Sequence, residues 1–310
     1  MPLTIVTYHF VRDLKNSRYP ALRGRDLAEF KQQLDYFDNH YKVVDTADVV
    51  ASFKGEGELP GNAIWLTFDD GYLEHFTNVM PQLLARRMHG AFFATVNSTV
   101  HGELLDVNKA HFIRAAETDP NVIIDEIRAF IDARQDTDGL QPFDAYWREY
   151  AKPVRFDNAE IWFIKSVLQH ALPPAVRKVL IDELFEKIVS IDQRDFAGEL
   201  YASPDQLRAM IECGMYIGGH GAKHLRLREF DAAEKEIEVT ASLEFLHSLG
   251  APTTDWVMCY PYGESDETYR ALLKQNGGAL GLTIQAGLVD PAVDDPLLLS
   301  RLDTIELPIA

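Results

Sequence analysis

Only two cysteines, Cys213 and Cys259, occur in 310 residues. That is too few for a disulfide framework or a structural zinc knuckle. Positive charge is short as well: 30 Lys and Arg stand against 48 Asp and Glu, a formal charge of −18. Such a surface repels phosphate backbones and anionic lipid, so nucleic acid and bare membrane are poor partners. No stretch reaches the about 18 uninterrupted apolar residues of a membrane span. The opening Met1-Pro2-Leu3-Thr4-Ile5-Val6 lacks a basic region followed by a long apolar run, so a cytoplasmic protein is expected. Internal repeats and low-complexity tracts are missing too. What the chain does have is core-forming material. It is 46% apolar, with four Trp, 12 Tyr and 17 Phe, enough for one large domain or one domain carrying an insertion.

Strand and helix patterns alternate through the first third. Leu3–Tyr8 reads as a buried strand. Leu27, Phe30, Leu34 and Phe37 recur at helical spacing within Asp26–Tyr41. Val43-Val44 follows as a strand, Thr46–Phe53 as a short helix, and Ala63–Phe68 as a strand apolar on both faces. Tyr72–Arg87 predicts a helix with a bend or late start near Pro81, and Gly90–Val96 a strand. From 109 to 201 the patterns are helical, as in Val122–Ala133, Ile161–Leu172 and Val176–Ile191.

Alternation resumes at Ser203-Pro204, an N-cap followed by proline at the first helical position, and that helix stops at Gly214. Met215–Gly218 is a strand leading into His220. Asp231 and Glu234 form a capping-box pattern opening a helix to Leu249, stopped by Gly250. Trp256–Tyr260 and Leu280–Ile284 read as strands around a helix at Thr268–Gln275. The expectation is an α/β fold, a parallel sheet or barrel built from 1–108 and 202–310, with a helical insertion over 109–201.

Two clusters carry chemistry. Asp69 and Asp70 stand in Thr67-Phe68-Asp69-Asp70-Gly71-Tyr72, directly after a strand. His220 and His224 lie in His220-Gly221-Ala222-Lys223-His224. A histidine pair at this spacing is weak evidence alone, and Asp-Asp-Gly is also an ordinary turn. Two adjacent carboxylates at the mouth of a sheet are costly without a cation or proton between them. One carboxylate with two imidazoles makes a facial metal site with room for water, and the second carboxylate is left to act as a base. This combination reads as a hydrolase.

The motifs resemble those of the polysaccharide deacetylase superfamily, the fourth carbohydrate-esterase family. Thr67–Tyr72 fits the first motif, Ile217–His224 the second, and Tyr260-Pro261-Tyr262-Gly263 part of the third. Tyr8-His9 agrees too, and the likeness covers roughly 1–100 and 202–305. The resemblance implies a distorted (β/α)7 barrel. It implies that Asp70, His220 and His224 bind a divalent metal, zinc first, with cobalt, manganese or iron as alternatives. Asp69 would be the general base, and the Tyr262 backbone amide would help hold the oxyanion. Three departures stand out. Gly221 replaces the usual Ser or Thr. Cys259 replaces an arginine that holds the base, with Arg301 able to supply that charge instead. The late catalytic histidine is not evident in Leu280–Gln285. His9 is the candidate general acid, with His75 and His101 as further options.

Trp65 reads as core and Cys259 as a space-filling thiol. Tyr72 and Tyr262, on motif loops, are candidate substrate contacts. The expected function is a metal-dependent deacetylase acting on an amino sugar's N-acetyl group in cytoplasmic surface-polysaccharide or O-antigen synthesis. Its substrate would be an acylated sugar, a nucleotide sugar or a lipid-linked glycan. The alternatives are a deformylase or other small-amide hydrolase, and an inactive sugar-binding or scaffold protein of the same fold. The sequence carries no signal for oligomeric state.

Overall fold

The computed structural model describes residues 2–154 and 157–309. The chain divides into two compact units. The larger comprises Met1–Lys15, Gly24–Glu103 and Ala197–Ala310; the smaller comprises Asn16–Arg23 and Leu104–Phe196.

The larger unit holds the strands: β1 (Thr4–Tyr8), β2 (Val11–Arg12), β3 (Arg25–Asp26), β4 (Lys42–Val43), β5 (Ala63–Phe68), β6 (Ala91–Ala94), β7 (Tyr216–Gly219), β8 (Trp256–Cys259), β9 (Gly278–Leu282) and β10 (Leu302–Asp303). β2 and β3 pair with each other. The rest form one parallel sheet in the order β10-β1-β5-β6-β7-β8-β9, with β4 beside the N-terminal half of β5. The segment Leu299–Asp303 joins the two ends. Leu299 exchanges backbone bonds with Gly281 of β9 and with Thr283 just beyond it, Arg301 N–H donates to the Gln285 carbonyl, and Leu302 pairs with Val6 of β1. The result is a distorted seven-stranded parallel barrel, as the resemblance implied.

Side chains alternate across the sheet with period two. Leu3, Ile5, Ala63, Trp65, Ala91, Phe93, Val257 and Cys259 share one cluster, with Leu280, Leu282 and Leu299. Val6, Tyr8, Ile64, Leu66, Phe68 and Phe92 face the other way, against Phe30, Leu34 and Phe37 of the helix Leu27–His40. Trp65 is thus core, as expected. Thr7, Thr67 and Asp69 continue the parity of Ile5 and Trp65, which turns them to the inner side.

Local signals hold at the helix ends. Ser203 and Asp231 both form reciprocal capping boxes, and Gly250 ends its helix in the left-handed conformation. Ahead of Pro81 the helical run 73–85 is unbroken but widens into a π-helical turn at His75–Val79, followed by α-helix at Met80–Ala85. Proline without an N–H is tolerated there in the first turn.

The smaller unit is helical, from Asp106–Ala116 and Pro120–Asp138 to the first half of Gln193–Leu200. It begins before residue 109 because Asp106–Ala116 is one helix. Tyr201 and Ala202 instead pair with Tyr72 and Gly71 in the larger unit. Residues 16–23 join the helices through Tyr19, whose ring packs on Phe112 and Phe196. Among the described residues no helix is long and apolar enough to cross a membrane.

Candidate metal and catalytic site

The site lies at the carboxyl ends of the strands, where parallel barrels collect polar loops. β5 ends at Phe68, and Asp69 and Asp70 follow it. β7 ends at Gly219, and His220 follows it. Cys259 ends β8, Tyr260–Gly263 continues from it, and Arg301 precedes β10. All of these residues belong to the larger unit.

Asp70 Oδ1 lies 3.2 Å from His220 Nε2 and 3.4 Å from His224 Nε2. All three residues are buried, and their ligand atoms lie within 4.8 Å of one another. The Asp70 oxygen is buried and has no hydrogen-bond partner, although two ring nitrogens face it. His220 donates Nδ1–H to the Cys259 carbonyl at 2.7 Å, leaving Nε2 as a lone-pair donor. An acceptor-only oxygen facing two imidazoles, one of them fixed in the ligating tautomer, fits a divalent cation. The Asp-His-His set is therefore consistent with a divalent metal site. Burial lowers His224 to about 4. Burial would lower His220 too, but Cys259, Asp70 and Asp69 outweigh it and raise that ring.

Asp70 adopts φ 74°, His224 φ 52° and Tyr262 φ 57°. Among the described residues they are three of only six non-glycine positions in the left-handed region, and all three lie here. Such conformations persist where the surroundings over-determine them, as at ligand sites. The other oxygen of Asp70 accepts from the Tyr72 hydroxyl at 2.5 Å. Tyr72, expected at the substrate, is 0% exposed and turned toward Asp70 instead. Its ring stacks on Phe10 and Tyr201, so it orients a ligand residue from below. The Tyr262 ring packs against His224 at 5.0 Å, with the Arg226 guanidinium 4.1 Å from its centroid.

Asp69 accepts three side-chain hydrogen bonds from two residues. Arg301 donates Nη1–H to Oδ1 at 2.9 Å and Nη2–H to Oδ2 at 2.8 Å, and Thr7 donates to Oδ2 at 3.3 Å. Arg301 is itself fixed, donating Nε–H to the Thr283 carbonyl and Nη1–H to the Thr67 hydroxyl. Burial alone would raise Asp69, but the guanidinium beside it holds the carboxyl far below the usual carboxylate range. The charge that the Cys259 position lacks thus comes from Arg301. Burial pushes the Cys259 thiol up, away from a reactive thiolate.

His9 Nε2 lies 3.9 Å from Asp69 Oδ2, and its side chain is 44% exposed, so it borders the acid pair on the open side. His75 is buried and donates Nε2–H to the His9 carbonyl, and His101 is exposed at a helix end.

Glu238 escaped the sequence reading. Its carboxylate accepts from the Ala222 N–H at 2.6 Å and the Lys223 N–H at 3.4 Å, between the two histidines. The signal was there: Glu238, Ser242, Phe245 and Leu249 form one buried helical stripe, in which a glutamate is out of place. Gly221 has φ +72°, and a Cβ there would come within 3.1 Å of Glu238 Oε2. That explains glycine where the motif usually has Ser or Thr.

The family model described as polysaccharide deacetylase matches residues 181–280, which include the histidine pair but not Asp69 or Asp70. No curated protein matches the chain. Among solved structures it is similar to the Streptococcus pyogenes deacetylase PplD in complex with acetate, at 15% identity over 98% of this chain and 92% of that chain, TM-score 0.61. IcaB from Ammonifex degensii matches at 17% identity over 98% and 91%, TM-score 0.58. A de-N-acetylase from Aggregatibacter actinomycetemcomitans matches at 15% identity over 97% and 94%, TM-score 0.55. These likenesses establish the shared fold. The family match is confined to residues 181–280, while the fold is shared with these deacetylases over nearly the whole chain.

Proposed function

We propose that this chain is a metal-dependent amide hydrolase that removes the acetyl group from an N-acetylated amino sugar. The observation that carries the reading is a carboxylate locked by a buried arginine beside a separate Asp-His-His set. Asp70, His220 and His224 would hold a divalent ion, and two imidazoles with one carboxylate suit zinc. When bound, the ion supplies a Lewis acid for the acyl oxygen and lowers the pKa of water.

Asp69 takes the proton of the attacking water. Arg301 keeps it ionised and fixes its direction, at the cost of basicity, so the water must be strongly activated. His9, at the open edge of the pair, gives a proton to the departing nitrogen. The backbone at Tyr262, held in its unusual conformation by ring contacts with His224 and Arg226, is assigned to the acyl oxyanion. The acetate in the PplD structure supports acetyl as the group removed. The overall charge of −18 favours a neutral or cationic glycan over a polyanion.

The test pairs elemental analysis by mass spectrometry with acetate release from N-acetylglucosamine oligomers. Asp69→Asn should lose turnover and keep the metal, whereas Asp70→Asn should lose both. A fully loaded wild-type protein releasing neither acetate nor formate from any acylated amino sugar would leave only a binding role.

A further inference from the structure

The smaller unit concentrates positive charge around a cavity of its own. In a chain of net charge −18, Arg23, Arg114 and Lys165 converge with His111 on a space of about 100 Å³. A molecule of liquid water occupies about 30 Å³, so the cavity has room for a compact group of a few heavy atoms. Among the described residues, the carboxylate of Asp157 serves these cations. Asp157, its side chain 7% exposed, accepts from Arg23 Nη1 at 3.0 Å and from Lys165 Nζ at 2.5 Å. Both of its oxygens are thereby engaged, so Arg114 feels the Asp157 charge without a hydrogen bond from its Nε.

Arg114 stands in the last turn of the helix Asp106–Ala116, where a cation gains from the helix dipole. The dipole explains its place but not its surroundings. Arg114 Nε is buried without a hydrogen-bond partner, and the charge of Arg23 bears on the same guanidinium. A guanidinium cannot relieve this by losing its proton. An unmatched buried donor beside like charges is costly unless an acceptor arrives.

We infer that this cavity binds a phosphate-type oxyanion, with Arg114 and Lys165 as its inner donors and Arg23, 63% exposed, closing over it from the mouth. The group can be free phosphate or the phosphate of a larger molecule such as a nucleoside diphosphate sugar. The inference does not depend on the deacetylase reading, because every residue in it lies in the smaller unit.

The full chain is titrated calorimetrically with inorganic phosphate, and separately with uridine diphosphate N-acetylglucosamine, at constant ionic strength in chloride. Saturable binding of either is expected, weakened at least tenfold in Arg114→Met. Arg23→Gln, at a position 63% exposed, should weaken it several-fold and guards against misfolding of the first variant. Binding of phosphate alone identifies the free ion, and binding of the sugar nucleotide alone identifies the larger source; both support the site. An adventitious ion only, seen as non-saturating heat or as affinity unchanged in both variants, overturns it.

Discussion

Arg301→Gln should be the most informative single change. The guanidinium is 2% exposed and makes two charge-assisted bonds to Asp69, itself 2% exposed, plus two more to Thr283 and Thr67. Removing one partner of a buried pair strands the other charge, at a cost of about 3–5 kcal/mol. Against a total stability of roughly 5–15 kcal/mol, that is a large fraction.

The pH dependence gives the sharper test. In the wild type, Asp69 is depressed below its unfolded value. Its contribution is therefore present above the unfolded pKa of about 4 and lost as pH falls through the folded value. In Arg301→Gln the burial remains and the compensating charge is gone, so Asp69 moves above its unfolded value. The variant's deficit is then greatest at neutral pH and shrinks as acid protonates the stranded carboxyl. Urea unfolding from pH 4 to pH 8 measures both slopes. Asp69→Asn combined with Arg301→Gln should recover more than half of the loss, because no buried charge is left unpaired. A loss under about 1 kcal/mol at pH 7, or one equal at every pH, would show that the pair is not held as described.

Other consequences can be measured with the same tools. Gly221→Ala places a Cβ on a φ of +72° within 3.1 Å of Glu238 Oε2, and should cost about 1–2 kcal/mol in urea unfolding and weaken zinc retention. Burial lowers His75 to about 4, below its unfolded value. The unfolded chain then binds more protons, and stability should fall by about 3 kcal/mol as pH drops from about 6.5 to about 4. His75→Phe should flatten that part of the profile, and an unchanged slope would assign it to another group. Chelation should lower Tm, with zinc restoring it, since a ligand at a thousandfold excess over its Kd adds about 4 kcal/mol. Asp70→Asn should show neither response; if it does, the ion sits elsewhere.

The strands, the helix starts at Ser203 and Asp231 and the stop at Gly250 were legible because each is set by local periodicity or by one cap. The two motifs were legible because their residues lie close together in sequence. The partnership of Arg301 with Asp69 was only a candidate, because 232 residues separate them and no local pattern links them. It forms because the segment Leu299–Asp303 inserts between β9 and β1 and turns Arg301 inward. Tyr72 illustrates the converse. Its position on a motif loop suggested a substrate contact, while packing between Phe10 and Tyr201 turned its hydroxyl to Asp70. By itself the sequence determined the order of elements and the residue types able to hold a cation, since both follow from short-range spacing. The motif resemblance assigned Asp70 to the imidazoles; the tertiary structure alone decided that Arg301 clamps Asp69 and that Glu238 braces the histidine loop, because these are set by closure of a barrel from distant strands.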